Sequence, residues 1–418
     1  MQKEGLMRDL IRSRNFLIAT VFVVLLGALA TAQVALKPGS GGATSAQAPR
    51  YEVDPLWPKP MPNHWVLGSV IGAAVDADNH IWILHRSSAT LSVHEKQLED
   101  GTGECCAGAP PVLEFDQEGN LLRHWGGPGA GYEWPDSNHG IFIDHKGNVW
   151  IGGNGGADSQ ILKFTKDGKF LLQIGKKGVR RRAQAAAGAG EGAVAGFQAD
   201  SNDTANFGRV AKIWVDAQSN EAYVADGYLN KRVAVLDADT GRMKRWWGAY
   251  GNKPDDTPLP AYDPSQPLPQ QFRTPVHCAD MSADRMVYVC DRANNRIQVF
   301  TAEGKFVKEQ VYAPRTRENG AVWDVAFSRD PQQRFLFIVD GVNDKIRIVD
   351  RQSLKELTNF GDGGRQPGQF HAVHSIAIDH QGNLYTTETY EGKRVQRFLL
   401  KGLGAISRMD QGVVWPAR

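Results

Sequence analysis

The chain of 418 residues carries 48 Lys and Arg against 46 Asp and Glu, with 45 Gly and 11 Trp. Residues 1–32 hold four basic side chains (Lys3, Arg8, Arg12, Arg14) and two acidic ones (Glu4, Asp9), which leaves 44 of each sign in the remainder. A remainder without net charge gives no footing for a nucleic-acid partner. Abundant glycine and tryptophan without a long amphipathic pattern predict an all-β chain with many turns.

Residues 1–14 are basic, 16–26 are almost wholly apolar, and Ala30-Thr31-Ala32 has the small-x-small form of a cleavage site. This is the layout of a secretory signal peptide over 1–32, cut before Gln33. The competing reading is an uncleaved N-terminal membrane anchor, because apolar residues continue to Leu36. Residues 33–50, rich in Gly, Ser and Ala, read as a flexible linker. The expected location is a periplasm or the outside of the cell, with membrane contact only if the leader stays attached.

From Tyr51 a repeat begins, and the domain it predicts runs over 51–418. Short first strands pair with short second strands at 72–76 and 81–84, 140–144 and 148–151, and 212–216 and 222–226. The series continues at 278–281 and 286–290, 324–328 and 335–340, and 375–379 and 383–387. Third strands follow at 161–164, 232–236, 296–300, 346–349 and 394–398, and fourth strands end on Trp-Gly or Phe-Gly at 124–126, 246–248 and 359–361. Six such units predict a six-bladed β-propeller. His64-Trp-Val-Leu-Gly68 matches the fourth strands but precedes blade one, so it is expected to complete blade six and close the ring, with Val413-Val-Trp415 at the same seam. Insertions at 87–111, 177–208 and 251–271 should be loops over one face.

The four cysteines form two pairs. Cys278 and Cys290 stand about equally far from the turn near Asp284 and could face each other across the hairpin. Cys105 and Cys106 are adjacent, without the spacing of a structural zinc site. They read as a vicinal disulfide or as loop thiols.

Three of the eleven histidines occupy one repeat position. His139, His277 and His374 each stand five residues before the residue that opens the turn (Asp144, Ser282, Asp379), while the same slot holds Ile71, Ala211 and Trp323 in blades one, three and five. Alternate blades of a six-fold ring set the three imidazoles about 120° apart at the channel mouth. Three imidazoles with a fourth position open form a catalytic zinc arrangement rather than a structural one. A lone histidine at a strand start would more simply bond backbone; the other eight lack this register and read as structural or exposed.

Where second strands end stand Arg86, Asp226-Gly-Tyr228, Asp291-Arg292, Asp340 and Glu388. The acidic residues suit turn-holding duty. Arg86, Tyr228 and Arg292 have no repeat duty: two guanidiniums beside a metal would hold a carboxylate, and a tyrosine near such cations suits a general base.

The motifs His139-Gly-x-x-x-Asp144, Asp226-Gly-Tyr-x-Asn-x-Arg232, Pro275-x-His277, Asp291-Arg-x-Asn-x-Arg-Ile-Gln298 and His374 resemble those of NHL-repeat propellers, and among them the peptidyl-α-hydroxyglycine α-amidating lyases. The resemblance implies zinc on His139, His277 and His374. It gives Arg86, Arg292 and Tyr228 to a small-molecule or peptide substrate, whose hydroxyglycine is cleaved to an amide and glyoxylate. Three positions depart from the family: Ala372-Val-His-Ser375 stands where the family has Met-Pro-His-Asp, only His374 being shared. Ser375 thereby replaces the family's structural calcium ligand, so zinc is the expected cofactor and calcium lacks a ligand. No stretch of this sequence resembles the monooxygenase domain that makes hydroxyglycine peptides.

The reading is an exported zinc-dependent carbon–nitrogen lyase with Tyr228, Arg86 and Arg292 as its catalytic and substrate-binding side chains. The alternative is a non-catalytic NHL propeller that binds a protein or polymer through its loop face. A lactonase-type hydrolase would favour a carboxylate-rich metal site over three histidines.

Overall fold

The structure, a computed structural model, describes residues 46–180 and 196–416. The predicted leader lies outside the described residues. No helix among those described is long and apolar enough to cross a membrane.

Six four-stranded antiparallel sheets make a six-bladed β-propeller. Blades two to five run in chain order from an innermost first strand, for example Val276–Met281, Met286–Asp291, Arg296–Thr301 and Phe306–Val311 in blade four. Blade one has the same order, with residues 87–111 inserted between its second strand, Ile81–His85, and its third, Val112–Phe115. The structure adds fourth strands at Phe170–Gly175 and Phe306–Val311, which lack the Trp-Gly ending that marks the others. Because first strands start and second strands end at the same rim, connectivity alone puts the described parts of all three insertions on that rim. Residues 181–195 of the second insertion lie outside the described residues.

The ring is closed by an N-terminal strand, but not the expected one. Gln47–Asp54 pairs with Val395–Ala405 to complete blade six, so residues 47–50 belong to this strand and not to a linker. Its alternation buries Pro49, Tyr51 and Val53, and the Tyr51 ring packs on Phe337 and Phe360 at 5.7 and 5.8 Å. His64–Gly68 cannot do this work. A fourth strand lies three strand spacings, about 14 Å, from the channel, and Gly68 is two residues from Val70, a reach of about 7 Å. Elsewhere twelve residues make this return, from Trp125 to Asn138, Val311 to Asp324 and Phe360 to Val373. Trp65–Val66 instead pairs in parallel with Ala107–Gly108 on the first insertion. The C-terminal segment joins the seam, Val53 N–H donating to the Val414 carbonyl at 2.8 Å. Deleting residues 47–54 from the full chain should therefore lower the melting temperature by about 10 °C or more, since blade six loses an apolar strand and exposes two edges. A truncated protein that melts like the full one would refute this closure.

The repeated acidic residues have the structural duty expected of them. Asp226, Asp291, Asp340 and Glu388 bond Arg232, Arg296, Arg347 and Arg394 within the same blade, at 2.6 to 2.8 Å. The carboxylates are fully buried, so removing one partner would cost about 3–5 kcal/mol. At the opposite rim Asp76 and Asp144 accept bonds from Trp82 and Trp150 Nε1 and from turn backbone. Cys278 and Cys290 are directly opposed in blade four, 4.8 Å apart at Cα, and disulfide-bonded; Cys105 and Cys106 form a vicinal disulfide.

Candidate metal centre and its substrate side

What turns the slot residues toward the channel is a β-bulge at the start of the first strand in every blade but the fifth. In blades one, three, four and six the pairing register skips the slot residue itself: Ile71, Ala211, His277 or His374. An unpaired extra residue bends the strand and redirects its side chain. In blade two the register skips the next residue, Gly140, instead. Gly140 has φ +70°, and a Cβ there would lie 2.5 Å from the Ala211 carbonyl oxygen. Only glycine fits after His139.

The bulges bring His139, His277 and His374 together, with ring centroids 4.9 to 5.2 Å apart. Each histidine turns Nδ1 toward the slot carbonyl of the next blade. His139 Nδ1 donates to Ala211 O at 2.7 Å, and His277 Nδ1 donates to Trp323 O. His374 faces the Ile71 carbonyl but falls short of hydrogen-bond geometry, leaving its Nδ1 without a partner. A carbonyl can only accept, so Nδ1 of His139 and His277 carries the proton and Nε2 keeps its lone pair. Burial first, then the nearby Arg86 and Arg292 charges, hold His139 well below the usual imidazole range. Burial likewise dominates for His277 and His374, with Arg292 and the neighbouring imidazoles adding to it.

The three side chains offer nitrogen atoms within 4.8 Å of one another. Neutral imidazole lone pairs facing each other in a buried site are a donor set for a divalent transition-metal ion. Two other groupings are already satisfied. Glu114 bonds Arg123 and His80, and Asp76 of the same group bonds Lys166; Cys278 of the third group is in its disulfide.

The three other predicted side chains stand around this centre. Tyr228 Oη lies 3.0 Å from His139 Nε2 and 2.9 Å from His277 Nε2, and it accepts a bond from Arg292 at 3.2 Å. Gly227 sets the turn that delivers it: a Cβ there would meet the Val276 carbonyl oxygen at 2.0 Å. Arg292 is buried over the Trp323 ring at 4.5 Å and donates to Asn319 at 3.3 Å. Arg86 donates to Asn154 Oδ1 at 3.0 Å. Both guanidiniums keep a buried Nε–H with no acceptor. Buried donors without partners call for an acceptor, and two cations ask for an anion. Trp323, Asn154 and Asn319 escape sequence reasoning; only Trp323 left a trace, as an aromatic residue in a slot that histidine fills in alternate blades.

No family model matches the chain. It is 25% identical over 337 residues to the peptidylglycine alpha-amidating monooxygenase of Rattus norvegicus, covering 77% of this chain and 30% of that protein. It is 26% identical over 335 residues to a probable peptidyl-alpha-hydroxyglycine alpha-amidating lyase of Caenorhabditis elegans, covering 77% of this chain and 80% of the relative. The chain is a six-bladed propeller similar in sequence to amidating lyases and to an NHL repeat-containing protein. It spans about a third of the length of the amidating monooxygenases it matches. NHL repeat-containing protein 3 of Mus musculus is 25% identical over 318 residues, with 74% of this chain and 69% of that protein covered. Among solved structures, a structural genomics protein of unknown function from Bacteroides thetaiotaomicron superposes with a TM-score of 0.49 at 13% identity, over 85% of this chain and 77% of that one.

Proposed function

We propose that this protein is an exported zinc-dependent lyase that cleaves an α-hydroxyglycine-type adduct to an amide and glyoxylate. One observation carries the reading: three histidine nitrogens, one tyrosine hydroxyl and two guanidiniums with free donors converge at one channel mouth. The two disulfides support export, as does the leader-like N-terminus.

The residues divide the work by charge. Arg292 and Arg86 hold the substrate carboxylate through charge-assisted bonds and orient the carbinol carbon toward the histidines. When bound on His139, His277 and His374, zinc supplies Lewis acidity to an oxygen of the substrate. Tyr228 takes the proton from the carbinol hydroxyl, whose oxygen becomes the aldehyde oxygen of glyoxylate as the carbon–nitrogen bond breaks. The nitrogen leaves with the electron pair and takes up a proton as the amide. One proton leaves oxygen and one arrives at nitrogen, so the step needs no redox partner.

The deciding experiment is glyoxylate release from an α-hydroxyglycine peptide by zinc-loaded protein, expected at a rate well above the uncatalysed one. Zinc-loaded wild-type protein that releases none would refute the lyase. In that case the alternative, a non-catalytic propeller that binds a protein or polymer through its loop rim, becomes the better account.

A further inference from the structure

Toward the middle of the channel, the small cavity that the three histidines line is shared by Lys212, Asp324 and Ser375. Lys212 follows the Ala211 slot of blade three. Its ammonium bonds Asp280 of blade four at 2.7 Å and Asp324 of blade five at 2.5 Å. The other Asp324 oxygen accepts from Ser375 Oγ at 2.7 Å and Ile376 N at 3.1 Å in blade six. One ammonium thus ties three consecutive blades across the channel, and Asp324 extends the tie to a fourth. Burial alone would pull the lysine's pKa down, but the two carboxylates more than offset it and raise it above the ordinary range. The group stays charged.

Family resemblance implies a structural calcium with a ligand at the position of Ser375. Calcium gathers six to eight oxygens. Here the space between Asp280 and Asp324 holds an ammonium, which offers no lone pair and repels a second cation, and the Ser375 hydroxyl is engaged with Asp324. The residues present do not fit calcium.

We propose that Lys212 is the built-in cation of this channel, joining blades three to six, so that the stability of the ring does not depend on calcium. Without the lysine, Asp280 and Asp324 would face each other buried and without a counter-charge. Removing one partner of a buried ion pair is strongly destabilising.

The test is thermal melting of the full chain after EDTA treatment, with calcium or zinc added back separately. This readout is independent of lyase activity and separates the two ions. Calcium is expected to leave wild-type melting unmoved. Lys212→Met should melt about 5 °C lower or more, and Lys212→Ser, which opens space between the carboxylates, should gain stability from calcium. A wild-type melt raised by calcium but not by zinc would overturn the proposal, and this arm stands even if neither variant folds. So would a Lys212→Met protein that melts like the wild type.

Discussion

His277→Ala is expected to weaken zinc binding by about 10²-fold or more, so that dialysed protein falls from about one ion per chain to almost none. Loss of a mere outer-shell partner already costs 10- to 100-fold in affinity, and this change removes a donor outright. The two remaining imidazoles, His139 and His374, would face each other 4.9 Å apart at their centroids, and two side chains rarely hold zinc. His277 is also the histidine whose Nδ1 is tied to the Trp323 carbonyl, so its lone pair is held in place before any ion arrives. The fold should survive, because the slot accommodates alanine in blade three as Ala211. Metal analysis after exhaustive dialysis, with circular dichroism as the fold control, checks both halves. Full stoichiometry in a variant with His139, His277 and His374 all changed to alanine would remove the metal centre from this account.

Tyr228→Phe should keep fold and metal while turnover falls by a factor of about 10² to 10⁴, the usual effect of losing one positioned proton-transfer group. The hydroxyl is the only hydrogen-bonding atom this substitution deletes, and it lies within 3.0 Å of two of the three histidine nitrogens. The ring, which packs against Arg292 and His277, remains. Arg292→Ala divides the roles further: it should chiefly raise KM for substrates with a free carboxylate and leave an esterified or amidated substrate indifferent. Glyoxylate release measured against both substrate types reads this directly. A Tyr228→Phe enzyme that turns over at the wild-type rate would take the tyrosine out of the chemistry.

Most of the candidate site was legible because a repeat writes its geometry into spacing. Five residues separate His139 from Asp144, His277 from Ser282 and His374 from Asp379, and the bulge at each strand start converts that spacing into convergence on the axis. The acidic residues at the second-strand ends were legible as structural for a related reason, each finding its arginine on or just before the neighbouring third strand of its own blade. The closing strand was misread although the information was present. Twelve-residue returns between blades rule out His64–Gly68, and resemblance to Trp-Gly endings outweighed that length. Asn319 and Asn154 were not legible, since each meets its guanidinium by way of a loop whose path no periodicity describes, whereas Trp323 showed only as an aromatic residue in the slot.

By itself, then, the sequence determined the all-β repeat, the number of blades and the ring of histidines, because each depends on residues close along the chain and on strand periodicity. Only the tertiary structure decided which strand closes blade six, which carbonyl orients His139 and His277, and that the channel interior is filled by a lysine. Lys212 shows why. Its partners Asp280 and Asp324 lie 68 and 112 residues away, and in the sequence it is one more polar residue at a strand start. It becomes a buried cation between two carboxylates only when the ring closes and brings three blades to one axis.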